Sequence, residues 1–120
     1  MKRILLFVAF STFCVFYANS QTTEQVKKEH ERQQVPQASI VLAQARLETG
    51  NFTSQKCKRD HNLFGIKHAG KYAKYKTWKE SIVDYKKRIS SRYNGGCYYE
   101  FLYRIGYASD PNYIRKLKQF

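Results

Sequence analysis

One stretch limits the fold more than any other. From Val35 to Gly50 the chain reads VPQASIVLAQARLETG, in which Ile40, Val41, Leu42, Ala43, Ala45 and Leu47 leave little polar face. A helix that is apolar on most sides must be buried on most sides, so the rest of the chain has to wrap around it. Pro36 suits a first helical position and Gly50 a left-handed C-terminal cap, which predicts a central helix over Pro36 to Thr49. On that helix Val41, Gln44, Ala45 and Glu48 fall at i, i+3, i+4 and i+7 and share one face. Glu48 is the only acidic residue between Glu31 and Asp60. A carboxylate closing an apolar stripe is partly desolvated, and desolvation raises its pKa toward what a general acid needs near neutrality. The competing reading is a helix-terminal Glu with its head in water, and spacing alone leaves both open.

The remaining elements are shorter. Thr22 to Gln34 is charged and rich in helix formers, predicting a solvent-facing first helix with Val26 as a lone apolar contact. Residues 51–67 carry no sustained periodicity and read as a loop, with Leu63, Phe64 and Ile66 plugging the core. His68 to Thr77 suggests a short hairpin. Trp78 to Tyr93 reads as a helix with Trp78, Ile82, Tyr85 and Ile89 on one side, ended by Asn94-Gly95-Gly96. Tyr98 to Ile105 follows as a short aromatic helix. Asp110-Pro111 then supplies a cap and a first-position proline for a last helix to Lys118, with Tyr113, Ile114 and Leu117 inward. The expected fold is mainly α, a single small domain with one short, reduced β-hairpin.

The N-terminus predicts export. Met1-Lys2-Arg3 is a positive n-region, Ile4 to Tyr17 is almost unbroken apolar, and Ala18-Asn19-Ser20 offers small residues for cleavage before Gln21. The run falls short of the roughly 20 residues a bilayer span needs, so no stable membrane insertion is expected after cleavage. The expected division is a signal segment over 1–20 and one secreted or periplasmic domain over 21–120. Loss of Lys2 and Arg3 takes the net charge from +13 to +11. Such a balance implies a polyanionic partner, and export favours an acidic cell-wall polymer over nucleic acid.

After cleavage only Cys57 and Cys97 remain. In an oxidising compartment two cysteines of a small domain most simply pair, closing a loop worth on the order of 4 kcal/mol. A zinc site from Cys57, His61, His68 and Cys97 is the rival, but its spacing matches no usual zinc pattern. A disulfide is therefore expected, with no metal and no cofactor.

Four blocks in order carry a resemblance. Leu42-Ala43-Gln44-Ala45-Arg46-Leu47-Glu48-Thr49-Gly50 resembles the catalytic-helix motif of the flagellar-muramidase-type glucosaminidases, glycoside hydrolase family 73, in the lysozyme-like superfamily. Asn62-Leu63-Phe64-Gly65-Ile66-Lys67 resembles the block that follows, Ser81-Ile82-Val83-Asp84-Tyr85 the helix after the β region, and Gly106-Tyr107-Ala108-Ser109-Asp110-Pro111-Asn112-Tyr113 the C-terminal motif. The resemblance implies a lysozyme-like fold. It makes Glu48 the general acid and sets Tyr107 in the cleft beside the cleaved bond. Asn62, Phe64 and Gly65 would shape the wall of the sugar groove, with Tyr113 also meeting substrate. It further implies an enzyme that cuts the β-1,4 bond between N-acetylglucosamine and N-acetylmuramic acid in peptidoglycan glycan strands; separately, a monomer is expected. Tyr72, Tyr75 and Trp78 could stack on sugars or simply pack.

The chain departs from the family in its β-lobe. No acidic residue lies between Asp60 and Glu80, so a second catalytic carboxylate has no obvious counterpart. Glu80 reads as a helix-start residue, Asp84 as a structural bond within its helix and Asp110 as a cap. That leaves Glu48 working with the substrate's own N-acetyl group, or with a water oriented by Tyr107. A catalytically silent wall-binding module, and a muramidase or lytic transglycosylase cutting the other bond, are the alternatives.

Overall fold

The computed structural model describes residues 21–120, and the expected signal segment lies outside them. Among the described residues the order is α1 (Thr23–Arg32), α2 (Ala38–Thr49), α3 (Gln55–Asp60), β1 (Lys67–His68), β2 (Lys71–Tyr72), α4 (Trp78–Arg88), α5 (Tyr98–Arg104) and α6 (Tyr113–Leu117), with a 3-10 turn at Ser90–Arg92 between α4 and α5. This is the expected mainly helical domain with a minimal antiparallel hairpin, in which Lys67 pairs with Tyr72 and His68 with Lys71. No described helix is long and apolar enough to cross a membrane.

The central helix is α2, and both α1 and α6 pack on it. It begins two residues later than the proline suggested. Gln37 adopts a left-handed backbone (φ 54°), so Pro36 stands outside the helix rather than at its first position. Its far end is as expected: Gly50 is left-handed (φ 56°), and the amide N–H groups of Gly50 and Asn51 both return to the Arg46 carbonyl.

Two elements differ from the sequence expectation. α1 does not face solvent on all sides, because Glu29 and His30 are buried beside Val26, three and four residues on. Glu29 tolerates burial because it gathers Arg32 and Gln33 from its own helix and the Lys79 ammonium at 3.9 Å. The stretch after α2, expected as a loop, contains α3. Its five polar residues and lone cysteine carry no periodicity to detect; Ser54 Oγ accepts from the Cys57 N–H at its start, and Cys57 and Asp60 turn inward.

The fourth and sixth helices are shorter than expected. α4 stops at Arg88 and passes into the 3-10 turn. α6 is capped at Asn112, so Pro111 is not its first residue, and Asp110 instead accepts the Asn112 N–H (2.9 Å) and the Lys116 ammonium (2.7 Å). Tyr113 and Leu117 point inward, while Ile114 is only partly covered.

Candidate active site

The stripe on α2 runs from the core to the surface. Val41, Gln44 and Ala45 are fully buried, and Glu48, one turn on, comes out with 22% of its side chain exposed. There it meets a cleft of about 700 Å3 whose lining includes Phe64, Gly65, Tyr107 and Tyr113. The chain after Glu48 has to leave sharply. Thr49 Oγ donates to the Ala45 carbonyl and accepts from the Phe52 N–H, and Asn51 and Phe52 take left-handed conformations. That reversal delivers α3, so that the Lys56 ammonium returns to 3.8 Å from Glu48 Oε2.

Burial raises the pKa of Glu48 above its ordinary value, and Lys56 pulls the other way without reversing the shift. Near this carboxyl lies Tyr107. Burial, then the neighbouring Tyr113 and the charge of Glu48, drive its phenol well above the usual range. The group is therefore a neutral hydroxyl at physiological pH, and it donates to the Phe64 carbonyl (3.2 Å).

The opposite wall is the Asn62–Lys67 turn. Gly65 is left-handed (φ 64°), which lets the turn pass close over Glu48. Leu63 and Phe64 are buried as expected, and Ile66 is partly so. Asn62 has no exposed surface and does not line the cleft. It shapes the wall from beneath: its Nδ2 donates to the carbonyls of Ile66 (2.9 Å) and Ala73 (3.1 Å), and its Oδ1 accepts the Ile66 N–H (3.1 Å).

Tyr113 is held by Gln44, whose Nε2 donates to its hydroxyl (3.3 Å). The same Gln44 accepts from Tyr85, which shares a hydrogen bond with Tyr98. Gln44 lay on the right stripe in the sequence, but its role as the centre of a buried tyrosine network was not readable there. The basic residues Arg88, Arg92 and Lys116 also line the cleft, and no local pattern in the sequence marks them for it.

A family model described as mannosyl-glycoprotein endo-beta-N-acetylglucosaminidase matches residues 23–120. The chain belongs to this glucosaminidase family. Comparison with curated proteins and with solved structures returned no match.

The family resemblance drawn from the four blocks is thus met, and with it the glycoside hydrolase class at family level. Of the glucosaminidase residues inferred from those blocks, Glu48, Phe64, Gly65, Tyr107 and Tyr113 converge on one cleft. The three aromatics that could stack or pack are not in its lining, although Tyr72 borders Lys67, which is. Trp78 packs partly buried against the core, Tyr75 donates to Asp84 Oδ2 (2.6 Å), and Tyr72 is exposed on the hairpin.

The expected disulfide is absent. Cys57 is buried on α3, where the Gln21 amide donates to its sulfur (2.8 Å), while Cys97 is exposed before α5, and both thiols are free. Pairing was inferred from compartment and count, and neither constrains which way the two side chains face. Among the described residues no three His, Cys, Asp or Glu side chains gather as metal ligands.

The acidic residues weighed as partners for Glu48 have other employment. Glu80 accepts the Lys76 N–H at the start of α4. Asp84 binds Tyr75 and Arg88 (2.8 Å) and lies 3.0 Å from His68 Nε2, so it ties the hairpin to α4 as well as bracing its own helix. Although burial opposes its charge, those bonds hold it below the usual carboxylate range. Asp110 does line the cleft, with its pKa held low by Lys116 and the Asn112 N–H.

Proposed function

We propose that this domain is an exported peptidoglycan hydrolase that cleaves the β-1,4 bond between N-acetylglucosamine and N-acetylmuramic acid, with Glu48 as general acid. The observation that carries the reading is a half-buried carboxyl with a raised pKa at the mouth of a cleft formed by the residues the family motifs single out. A protonated Glu48 delivers its proton to the glycosidic oxygen as the bond from the anomeric carbon to that oxygen breaks. Tyr107, kept neutral by burial, offers a hydroxyl beside the same carboxyl.

Asp110, the other carboxylate on the cleft, is occupied by Lys116 and a backbone N–H. The substrate's own acetamide oxygen is therefore assigned the attack on the anomeric carbon. It forms a cyclic oxazolinium that water then opens, with Glu48 now taking the water's proton. The net charge of +11 on the chain after position 20 suits an acidic polymer.

Mass spectrometry of wall fragments tests the bond. Reducing N-acetylglucosamine ends are expected; reducing or anhydro N-acetylmuramic acid ends would reassign the cleavage. The anomeric form of the first product tests the attacking group, since initial inversion is incompatible with acetamide participation. Binding to purified wall with no fragments released would support a silent glycan-binding module instead.

A further inference from the structure

Lys56 has no part in the reaction outlined above, yet it lies against the group that carries it. Its ammonium is 3.8 Å from Glu48 Oε2, with less than a quarter of either side chain exposed. A Cβ on Gly65 would stand 3.1 Å from that carboxylate oxygen and 3.2 Å from the lysine nitrogen, so the three residues close a single corner. The separation is too long for a direct hydrogen bond and short enough for strong attraction in a partly buried setting.

The lysine is also held from its other side. Its nitrogen lies 5.0 Å from the ring centroid of Tyr72, on β2, and the Lys67 ammonium lies at the same distance from that ring. Tyr72 is 45% exposed. A half-exposed aromatic ring with two ammonium groups over it is a surface on which the apolar face of a sugar can settle, at the expense of the cations.

We infer that Lys56 is a positioning residue for Glu48: it anchors the carboxylate against Gly65 in the empty cleft and releases it when a sugar takes the face of Tyr72. This rests on the reading of Glu48 as the acid. Once Lys56 has swung away, burial alone acts on Glu48, which then takes one proton from solvent, the proton later passed to the glycosidic oxygen. Sugar binding thereby loads the acid. The other titratable and charged groups on this cleft are Tyr107 after α5 and Tyr113 on α6, both kept neutral by burial, with Lys67 of β1, Arg88 of α4, Arg92 of the 3-10 turn, Asp110 before α6 and Lys116 on it.

The side-chain carboxyl 13C signal of Glu48, titrated in the whole exported domain, tests this without recourse to turnover. The free wild type should titrate at a lower pH than Lys56→Met, and Lys56→Arg should stay near wild type. A saturating N-acetylglucosamine oligomer should raise the wild-type midpoint and leave that of Lys56→Met in place. Tyr72→Ser, a change on the exposed hairpin, keeps Lys56 beside Glu48, so its free midpoint should stay near wild type and the oligomer should no longer raise it. Equal midpoints for free wild type and free Lys56→Met would overturn the pairing. No oligomer effect in wild type, or one that persists in Lys56→Met, would overturn the release. The expected titrations from a protein that releases no wall fragments would sustain the pairing and refute Glu48 as acid.

Discussion

Gly65 and Glu48 approach so closely that the glycine's missing side chain makes room for the carboxylate: a Cβ there would stand 3.1 Å from Oε2. The glycine backbone is also left-handed, with φ of 64°. Gly65→Ala should therefore lose about 1–2 kcal/mol to backbone strain and push the carboxylate off its position by a few tenths of an ångström. Misplacement on that scale should lower the wall-cleavage rate about tenfold or more. Urea melts and initial rates, measured together, check both halves.

His30 is fully buried and stacks on Phe64 at 6.1 Å, directly beneath the wall whose carbonyl receives Tyr107. Burial lowers its pKa from 6.5 to about 4. A histidine depressed in the fold contributes stability that is complete above its unfolded pKa and lost as pH falls through the folded one. Wild type should therefore lose about 3 kcal/mol between pH 6.5 and 4 relative to His30→Leu. Denaturation midpoints of both proteins across that window provide the check, and a pH-independent difference would contradict it.

Gln44 joins α2 to two tyrosines, Tyr85 and Tyr113, and its replacement strands their hydroxyls. Gln44→Leu should destabilise by about 1–3 kcal/mol. Adding Tyr113→Phe removes one stranded hydroxyl, so the double variant should lose less than the sum of the singles. Additive losses would show that the Gln44–Tyr113 hydrogen bond (3.3 Å) contributes nothing measurable.

The parts of this fold that were legible in the sequence are those where local chemistry is decisive. Gly50 capped α2 because only a left-handed residue could turn there, and the stripe through Val41 and Ala45 went inward because nothing else could cover it. The proline signals misled by two residues at each end, since Gln37 and Asn112 took the capping positions. α3 was hidden because it is one and a half turns long and mostly charged, with only Cys57 and Asp60 turned inward. His30 was missed because a single buried histidine on a charged helix leaves no period to see. Lys56 was missed for a different reason. Its partner, Glu48, is eight residues away on another helix, and only the reversal at Gly50–Phe52 brings them together. The disulfide failed because the environment of Cys57 is set by Gln21 and the core rather than by Cys97.

The most direct test of the account is the rate at which purified bacterial wall releases soluble reducing ends, with wild type and Glu48→Gln at equal concentration. Loss of the acid should lower that rate about a hundredfold or more while binding to the wall is retained. Release by Glu48→Gln at a rate near that of wild type would contradict it.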